Sequence, residues 1–239
     1  MSLMWRTSIV KPLNRLVQFG INLLFPPYCA GCGVHGSVIC QNCQNQFIET
    51  NISQLLDSIS QNIEQSTEVP YQKVLVWSDV WYHPPVNGVL VSLKYRPNRQ
   101  LAGILARRLS ALYFKEHIKA DLVAVVPLGS KRLRQRGYNQ VELVGRPLAK
   151  MIHLPYCSDA VNRVRETRTQ VGLDFVERQE NVREAFQAEK YLVCGKRILL
   201  LDDVLTTGAT LFSCAQALFT AGAQEVTGLT IARAKSLSL

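Results

Sequence analysis

Apolar and polar positions alternate along the chain in a way that predicts a regular succession of strands and helices from Tyr71 onward. Two continuous apolar runs, 122–128 (LVAVVPL) and 197–204 (RILLLDDV), are typical of strands covered on both faces. β-Branched and aromatic residues predict two more strands at 74–82 and 225–234. Apolar residues at helical spacing predict helices over 88–95, 101–114, 139–152 and 209–222. Because strands and helices alternate, we expect an α/β fold with a parallel sheet flanked by helices.

The first 70 residues have a different pattern. Residues 1–45 combine an amphipathic start with a Pro-Pro turn and a cluster of cysteines. Residues 46–70 are rich in Gln, Asn and Ser, and the spacing of their few apolar residues predicts a surface helix and linker that ends at Pro70. We therefore divide the chain into an amphipathic start with a metal-binding module (1–45), a polar helix and linker (46–70) and an α/β domain (71–239).

Composition narrows the class of protein. The 239 residues are 47% hydrophobic and 19% charged, which excludes disorder for most of the chain. Asn14, Gln18 and Asn22 interrupt the apolar start, so no run reaches the roughly 18 residues that a membrane helix needs. No small-residue cleavage site follows, as a secretory signal would require. We expect a cytoplasmic protein without a membrane span.

Four of the seven cysteines form a CxxC–x7–CxxC pattern between residues 29 and 43. Two intervening residues place both sulfurs of a CxxC on one side of a turn, and four thiolates complete a tetrahedral zinc site. A redox pair or two disulfides are the alternatives, and a reducing cytoplasm disfavours disulfides. With all four positions filled by protein, the zinc ion would be structural. The predicted ligands are Cys29, Cys32, Cys40 and Cys43.

The net charge of +9 is concentrated in blocks. Residues 92–119 contain seven basic residues and one acidic residue, residues 130–150 contain six and one, and residues 1–48 contain no acidic residue. Such blocks favour a polyanionic ligand, either nucleic acid or a phosphorylated metabolite. A solvated basic face without a ligand is the alternative at this level.

The segment 199–210 (LLLDDVLTTGAT) carries the most specific chemistry. A predicted buried strand ends in Asp202 and Asp203 and is followed by a turn rich in hydroxyls and glycine that opens a helix. Adjacent carboxylates can accept hydrogen bonds from a vicinal diol. Threonine hydroxyls and backbone N–H groups at a helix N-terminus form a phosphate cradle. A diol and a phosphate together describe a ribose 5-phosphate, bound at the carboxyl end of a strand as is general for α/β sheets.

This segment resembles the phosphoribosyl-pyrophosphate (PRPP) motif of type I phosphoribosyltransferases. The resemblance implies that Asp202 and Asp203 bind the ribose hydroxyls and that the loop binds the 5-phosphate, with Mg²⁺ bridging substrate oxygens. It also places a pyrophosphate loop after the strand at 122–128. The implied PRPP-binding residues are Asp202, Asp203, Thr206, Thr207, Gly208, Ala209, Thr210, Ser130, Lys131 and Arg132. The fold would be a type I phosphoribosyltransferase-like sheet with a small N-terminal tetracysteine module.

Other segments narrow the resemblance to the ComF/GntX family. These are the cysteine module after 25–27, the tripeptide 93–95 (LKY), the stretch 125–140 (VVPLGSKRLRQRGYNQ) and residues 163–186. Together they cover nearly the whole chain. ComF-type proteins are implicated in natural competence, where they handle incoming single-stranded DNA, and GntX-type relatives in the use of DNA as a nutrient. The resemblance therefore implies PRPP and single-stranded DNA as ligands and proteins of the competence machinery as partners.

Three hypotheses remain open at this level. The protein binds PRPP and acts with DNA during uptake, or it transfers phosphoribose from PRPP to an unidentified nitrogen acceptor, or it is a PRPP-sensing scaffold. The sequence identifies no catalytic residue, so it leaves enzymatic activity undecided.

Further basic residues have expected roles. In this fold a mobile loop closes over the site, and it would carry Arg163, Arg165, Arg168 and Gln170. Basic residues in excess of what a pyrophosphate needs are candidate DNA contacts: Lys94, Arg96, Arg99, Arg134 and Arg136. Tyr138 and Asn139 either contact a base or cap a helix.

Overall fold

The computed structural model describes residues 26–57, 73–165 and 185–235. Seven strands are present in these ranges: β1 (Ser53–Asp57), β2 (Lys73–Trp81), β3 (Leu122–Val125), β4 (Val161–Arg163), β5 (Phe186–Ala188), β6 (Arg197–Leu205) and β7 (Glu225–Arg233). Seven helices accompany them: α1 (Gln41–Asn45), α2 (Val86–Tyr95), α3 (Arg99–Lys115), α4 (Ser130–Arg136), α5 (Gln140–Met151), α6 (Lys190–Val193) and α7 (Ala209–Thr220).

Five strands form one sheet in the order β1-β2-β7-β6-β3. The pairs β2–β7, β7–β6 and β6–β3 are parallel, and only β1 runs antiparallel to its neighbour. Strands β4 and β5 form a separate antiparallel pair. Since the four parallel strands point the same way, their carboxyl ends lie at one edge of the sheet, where α/β proteins bind ligands.

The sheet separates two apolar clusters because successive side chains of a strand point to opposite faces. In β6, Leu199 and Leu201 belong to one cluster, whereas Ile198 and Leu200 belong to the other. Buried residues of α2, α3 and α5 share the first cluster with the cysteine module. Buried residues of α7 and of β4–β5 share the second cluster with Leu56 of β1. Both faces are covered, which explains why β3 and β6 are continuous apolar runs.

The cysteine module is part of this core. Cys29, Ile39 and Cys43 are buried in the same cluster as α2 and α3. A Cβ atom on Gly88 of α2 would lie 3.2 Å from the carbonyl oxygens of both Ala30 and Gly31, so the module and the helix meet backbone to backbone. The absence of a side chain at Gly88 permits this close approach.

Arg108 of α3 forms ion pairs with β2 and with the segment after the module. The guanidinium of Arg108 donates to both carboxylate oxygens of Asp79 on β2, at 2.6 and 2.9 Å. Arg108 also lies 5.3 Å from the ring centroid of Phe47 and 3.9 Å from the carboxylate of Glu49. Burial raises the pKa of Asp79, and the hydrogen bonds and charge of Arg108 oppose that shift.

Two of the sequence predictions are wrong in detail. The surface helix predicted within 46–70 is contradicted by β1, since Ser53–Asp57 pairs with β2; residues 58–70 lie outside the described ranges. Side chains at Leu55 and Leu56 alternate between exposed and fully buried, and the open edge of β2 supplies hydrogen bonds that local propensity cannot indicate. The loop predicted after β3 contains a seven-residue helix, α4.

The predicted α/β class is confirmed: a mostly parallel sheet is flanked by helices and carries a small tetracysteine module near its N-terminal end. Within the described part of the chain, no helix has the length and apolar character needed to span a membrane.

Candidate functional site

The four predicted cysteine ligands converge in the module. The Sγ atoms of Cys29, Cys32, Cys40 and Cys43 all lie within 4.8 Å of one another. Four sulfurs about 2.3 Å from a tetrahedral ion are separated by edges of about 3.8 Å, and the Sγ atoms of Cys32 and Cys40 are 3.7 Å apart. The donor set and its spacing therefore fit a metal ion.

Backbone amides reinforce this arrangement. The N–H of Cys40 donates to Sγ of Cys29 at 3.3 Å, and the N–H of Cys43 donates to Sγ of Cys40 at 3.5 Å. Burial raises the pKa of Cys29, but hydrogen bonds from the amides of Cys40, Cys32 and Gly31 outweigh it and lower the pKa to about 6. The module favours a thiolate at Cys29, which is the form that binds metals.

The aspartate pair lies at the carboxyl end of β6. This strand runs between β7 and β3 and continues past the last paired residue of β3, Val125, which pairs with Leu201. Asp202 and Asp203 follow directly, so they project where the loop after β3 also begins. The carboxyl ends of parallel strands are the place where α/β sheets generally bind ligands.

Asp203 is held by two side chains from the helices on one face of the sheet. Its Oδ2 atom is 3.0 Å from Nζ of Lys94 on α2 and accepts a hydrogen bond at 3.0 Å from Nε2 of Gln140 on α5. Its side chain is only 13% exposed. Gln140 is itself buried and accepts a hydrogen bond at 2.9 Å from Arg136. Asp203 is thus fixed by a polar network that begins at α4.

Asp202 has a different environment. Burial is the main reason that the pKa of its carboxyl is raised to about 8, and the negative charge of Asp203 adds to the shift. A hydrogen bond at 2.8 Å from the N–H of Asp203 to Oδ1 of Asp202, together with the charge of Lys94, opposes it. With its pKa raised to about 8, the carboxyl of Asp202 is mostly protonated near neutral pH.

The loop after β6 enters α7 through a glycine in a left-handed backbone conformation. Gly208 has φ = +86° and is the N-cap of α7, and its carbonyl accepts the N–H of Phe212 at 2.8 Å. A Cβ atom at Gly208 would lie 2.7 Å from two carbon atoms of Leu56, so β1 supports the loop from below. Glycine is needed here both for the positive φ and for this contact. The hydroxyl of Thr207 accepts the N–H of Ala209 at 3.3 Å.

The loop after β3 reaches the same edge. The N–H of Val126 donates to the carbonyl of Leu201 at 2.8 Å, so this loop leaves β3 beside the end of β6. Gly129 is the N-cap of α4, whose first three residues are Ser130, Lys131 and Arg132. The structure therefore brings these three residues to the end of the sheet where the aspartate pair lies.

The sequence leaves open whether residues 138–139 contact a base or cap a helix. Asn139 is the N-cap of α5: its Oδ1 accepts the N–H of Val141 at 3.0 Å, and its Nδ2 donates to the carbonyl of Val126 at 3.1 Å. The hydroxyl of Tyr138 donates to the carbonyl of Leu93 at 2.7 Å. Both side chains fix local structure around the aspartate pair.

Sequence reasoning misses two residues of this site. It assigns Lys94 to a DNA surface and gives Gln140 no role. Lys94 lies between Leu93 and Tyr95 in a tripeptide that the family resemblance singles out, and that is the available signal. Gln140 and Asp203 are 63 positions apart in the chain. Local sequence patterns cannot predict a contact over that separation.

The remaining candidates that the structure describes lie at several places on the surface. Arg163 pairs with Phe186 in the β4–β5 ribbon and lies 5.4 Å from the centroid of that ring. Arg165 follows β4, while Arg168 and Gln170 lie outside the described residues. Arg96, Arg99 and Arg134 are exposed, and Arg136 lies 5.7 Å from the ring centroid of Tyr95.

Several solved structures are similar to this chain. The glutamine PRPP amidotransferase of Bacillus subtilis matches 59% of this chain and 30% of its own, at 21% identity and a TM-score of 0.41. An adenine phosphoribosyltransferase of Thermoanaerobacter pseudethanolicus matches 61% of this chain and 74% of its own, at 18% identity and a TM-score of 0.38. No family model matches the sequence.

Curated relatives are more informative. The DNA utilization protein YhgH of Escherichia coli K12 is 34% identical over 162 residues, covering 66% of this chain and 70% of that protein. Competence protein F of Haemophilus influenzae is 30% identical over 210 residues, covering 87% of this chain and 85% of that protein. Competence protein ComFC of Bacillus subtilis is 26% identical over 157 residues, covering 64% and 61%. On this similarity, the chain belongs to the ComF/GntX family that its sequence motifs resemble.

Proposed function

We propose that this protein binds PRPP at the carboxyl end of β6 and acts in the uptake or use of DNA, where it handles incoming single-stranded DNA in the cytoplasm. The observation that carries the PRPP proposal is the Asp202–Asp203 pair followed by a loop with Gly208 at φ = +86° and a helix that opens at Ala209. The relatives' names, competence protein and DNA utilization protein, support the biological role.

The end of β6 and the loop that follows it suit the two ends of a ribose 5-phosphate. Asp202 and Asp203 would accept hydrogen bonds from the ribose hydroxyls. The first residues of α7 have no acceptor four positions earlier within the helix, and the helix dipole favours the negative charge of a phosphate at this end. The N–H of Ala209 donates to the hydroxyl of Thr207 and would exchange that contact for the phosphate. Thr206, Thr207, Gly208, Ala209 and Thr210 make up this cradle.

The loop after β3 would hold the pyrophosphate. Lys131 and Arg132 follow Gly129 beside the end of β6, and Ser130 offers a hydroxyl at the start of α4. A diphosphate placed between this loop and the aspartate pair would carry Mg²⁺, which prefers phosphate oxygens, carboxylates and water. Closure of the segment that carries Arg163, Arg165, Arg168 and Gln170 would cover the bound ligand.

Lys94 gives the aspartate pair a positively charged partner. Its Nζ atom is 3.0 Å from Asp203, and its helix also packs on the cysteine module. We therefore assign Lys94 to the PRPP site, where its charge would hold Asp203 in position. Zinc is the metal that fits the module, because four closely spaced thiolates select it and leave no open coordination position.

The DNA surface is proposed to use exposed arginines near the same end of the molecule. Arg96 follows α2, Arg99 begins α3, and Arg134 lies on α4. Guanidinium groups bind phosphates with two parallel hydrogen bonds, and such contacts are independent of sequence. Proteins of the competence machinery are the partners that this role implies.

The assignment of the aspartate pair is tested by binding of PRPP with Mg²⁺ in calorimetry. We expect Asp203→Asn to weaken binding at least about ten-fold, because hydrogen bonds to a charged group contribute about 1.5–3 kcal/mol. Asp159→Asn, a change at an exposed aspartate on another loop, serves as the control. Thr206→Ala should weaken binding of ribose 5-phosphate but leave inorganic pyrophosphate unaffected. Failure of the unaltered protein to bind PRPP would refute the proposed function.

Stability should depend on pH through Asp202. Its pKa is about 8 in the folded protein and near 3.8 when unfolded. Between these values the folded state binds more protons, so the carboxyl lowers the free energy of unfolding progressively as pH rises. The Asp202→Asn variant lacks this titrating carboxyl. The difference between its urea midpoint and that of the unaltered protein should therefore shift in favour of the variant as the pH rises from 5 to 8.5. Parallel pH profiles for the two proteins would contradict the shifted pKa.

Metal analysis tests the module. The purified protein should contain about one zinc ion per chain, and Cys32→Ser should lose it and melt at a lower temperature, since metal binding stabilises the folded state. Cys194→Ser, at an exposed cysteine outside the cluster, should retain the metal. Equal zinc content in the two variants would show that the cluster is not the metal site.

Salt dependence tests the DNA surface. The affinity for a single-stranded oligonucleotide should fall log-linearly with salt, and the double variant Arg99→Gln/Arg134→Gln should have a slope smaller by roughly 0.7 for each phosphate that it no longer binds. Lys150→Gln with Lys190→Gln removes the same charge from exposed positions elsewhere. An identical slope in both double variants would show that only net charge matters.

A further inference from the structure

Arg136 lies between the proposed DNA surface and the proposed PRPP site. It is the last residue of α4, a helix that contains four basic residues, no acidic residue and no buried residue. Arg134, two residues earlier on the same helix, belongs to the proposed DNA surface. The guanidinium of Arg136 also donates at 2.9 Å to Oε1 of Gln140, which in turn donates to Asp203. One side chain therefore connects the two surfaces.

The buried amide of Gln140 is oriented by its two charged partners. Only 4% of Gln140 is exposed. Its Nε2 atom lies 3.0 Å from Oδ2 of Asp203, and its Oε1 atom lies 2.9 Å from Nη1 of Arg136. The reversed amide would place an oxygen against a carboxylate and an N–H group against a guanidinium, so the two charges permit only one orientation. Arg136 thereby keeps the N–H group of Gln140 directed at Asp203.

Arg136 is also accessible to an anion from solvent. It forms no ion pair with a carboxylate in residues 26–57, 73–165 and 185–235. Its guanidinium carbon lies 5.7 Å from the ring centroid of Tyr95, which is 72% exposed. A hydrogen bond between a guanidinium and a phosphate carries charge on both partners and is stronger than one to a neutral amide. A phosphate that reaches this surface would therefore compete with Gln140 for Arg136.

We propose that single-stranded DNA and PRPP bind antagonistically through Arg136 and Gln140. A DNA phosphate that binds Arg136 leaves Oε1 of Gln140 buried without its donor, so the amide loses the orientation that serves Asp203. Lys94, at 3.0 Å, is then the remaining side-chain partner of Asp203 among the described residues, and the ribose site is held less firmly. Since coupling between two ligands is reciprocal, PRPP weakens DNA binding by the same factor. This inference rests on the proposed function and adds regulation to its two sites.

Calorimetry of the full chain at one salt concentration measures the dissociation constant of PRPP with Mg²⁺, with and without a saturating ten-residue oligodeoxythymidylate. We expect the oligomer to raise that constant about five-fold, at the lower end of the usual range for coupled sites. Titration of the oligomer with and without PRPP should give the same factor. Failure of either ligand to bind the unaltered protein would refute the proposed function, whereas a factor of one with both ligands bound would overturn only the antagonism.

Two variants interrupt the connection. Gln140→Leu keeps every basic residue of α4 and removes the amide between Arg136 and Asp203, and Arg136→Gln removes the donor to that amide. The coupling factor should fall to about one in both variants. Arg134→Gln removes the same charge from the same helix and is the matched control. It should bind DNA more weakly but retain the five-fold factor, because Arg134 does not contact Gln140.

Direct repulsion between two polyanions is the competing explanation, and it predicts a different pattern. A factor that stays near five in Gln140→Leu or in Arg136→Gln would overturn the proposal. So would a factor that falls equally in Arg134→Gln and Arg136→Gln, since net charge alone would then account for the antagonism. If Gln140→Leu does not fold, the comparison of Arg136→Gln with Arg134→Gln decides the question, because neither arginine is buried.

Discussion

Two carboxylates held side by side at the end of a buried strand repel each other, and the surrounding structure compensates for that repulsion. Asp203 has Lys94 and Gln140 as partners, and these side chains come from two helices on one face of the sheet. Burial is the main reason that the pKa of Asp202 is raised to about 8, and the negative charge of Asp203 adds to the shift. The position of Asp203 therefore depends on the side chains that α2 and α5 bring to it.

The cysteine module takes part in this arrangement through α2. Its backbone touches Gly88 near the start of the helix, and Lys94 lies near the end of the same helix. On the opposite face, Leu56 of β1 lies against Gly208 and supports the loop after β6. Two segments that precede the α/β domain in sequence thus contact both sides of the site, one through a helix and one through a side chain.

Much of this could be predicted from sequence. The continuous apolar runs of β3 and β6 indicate buried parallel strands, and the spacing of four cysteines indicates a metal cluster that the structure brings together. The position of β1 could not be predicted, because its pairing depends on the free edge of β2 rather than on its own residues. The partner of Lys94 is hidden for a similar reason: local patterns indicate that a lysine is present but not which distant carboxylate it meets.

The close approach of Gly31 and Gly88 also limits how the chain can be divided. The module contributes Cys29, Ile39 and Cys43 to the apolar cluster that also contains Val80, Val86 and Val89. A fragment beginning at residue 71 would leave that surface open to water and would lack the strand that closes one edge of the sheet. Both are features that drive aggregation. We therefore expect a fragment that begins at residue 71 to be less stable than the full chain, and shortened proteins should keep the module in place.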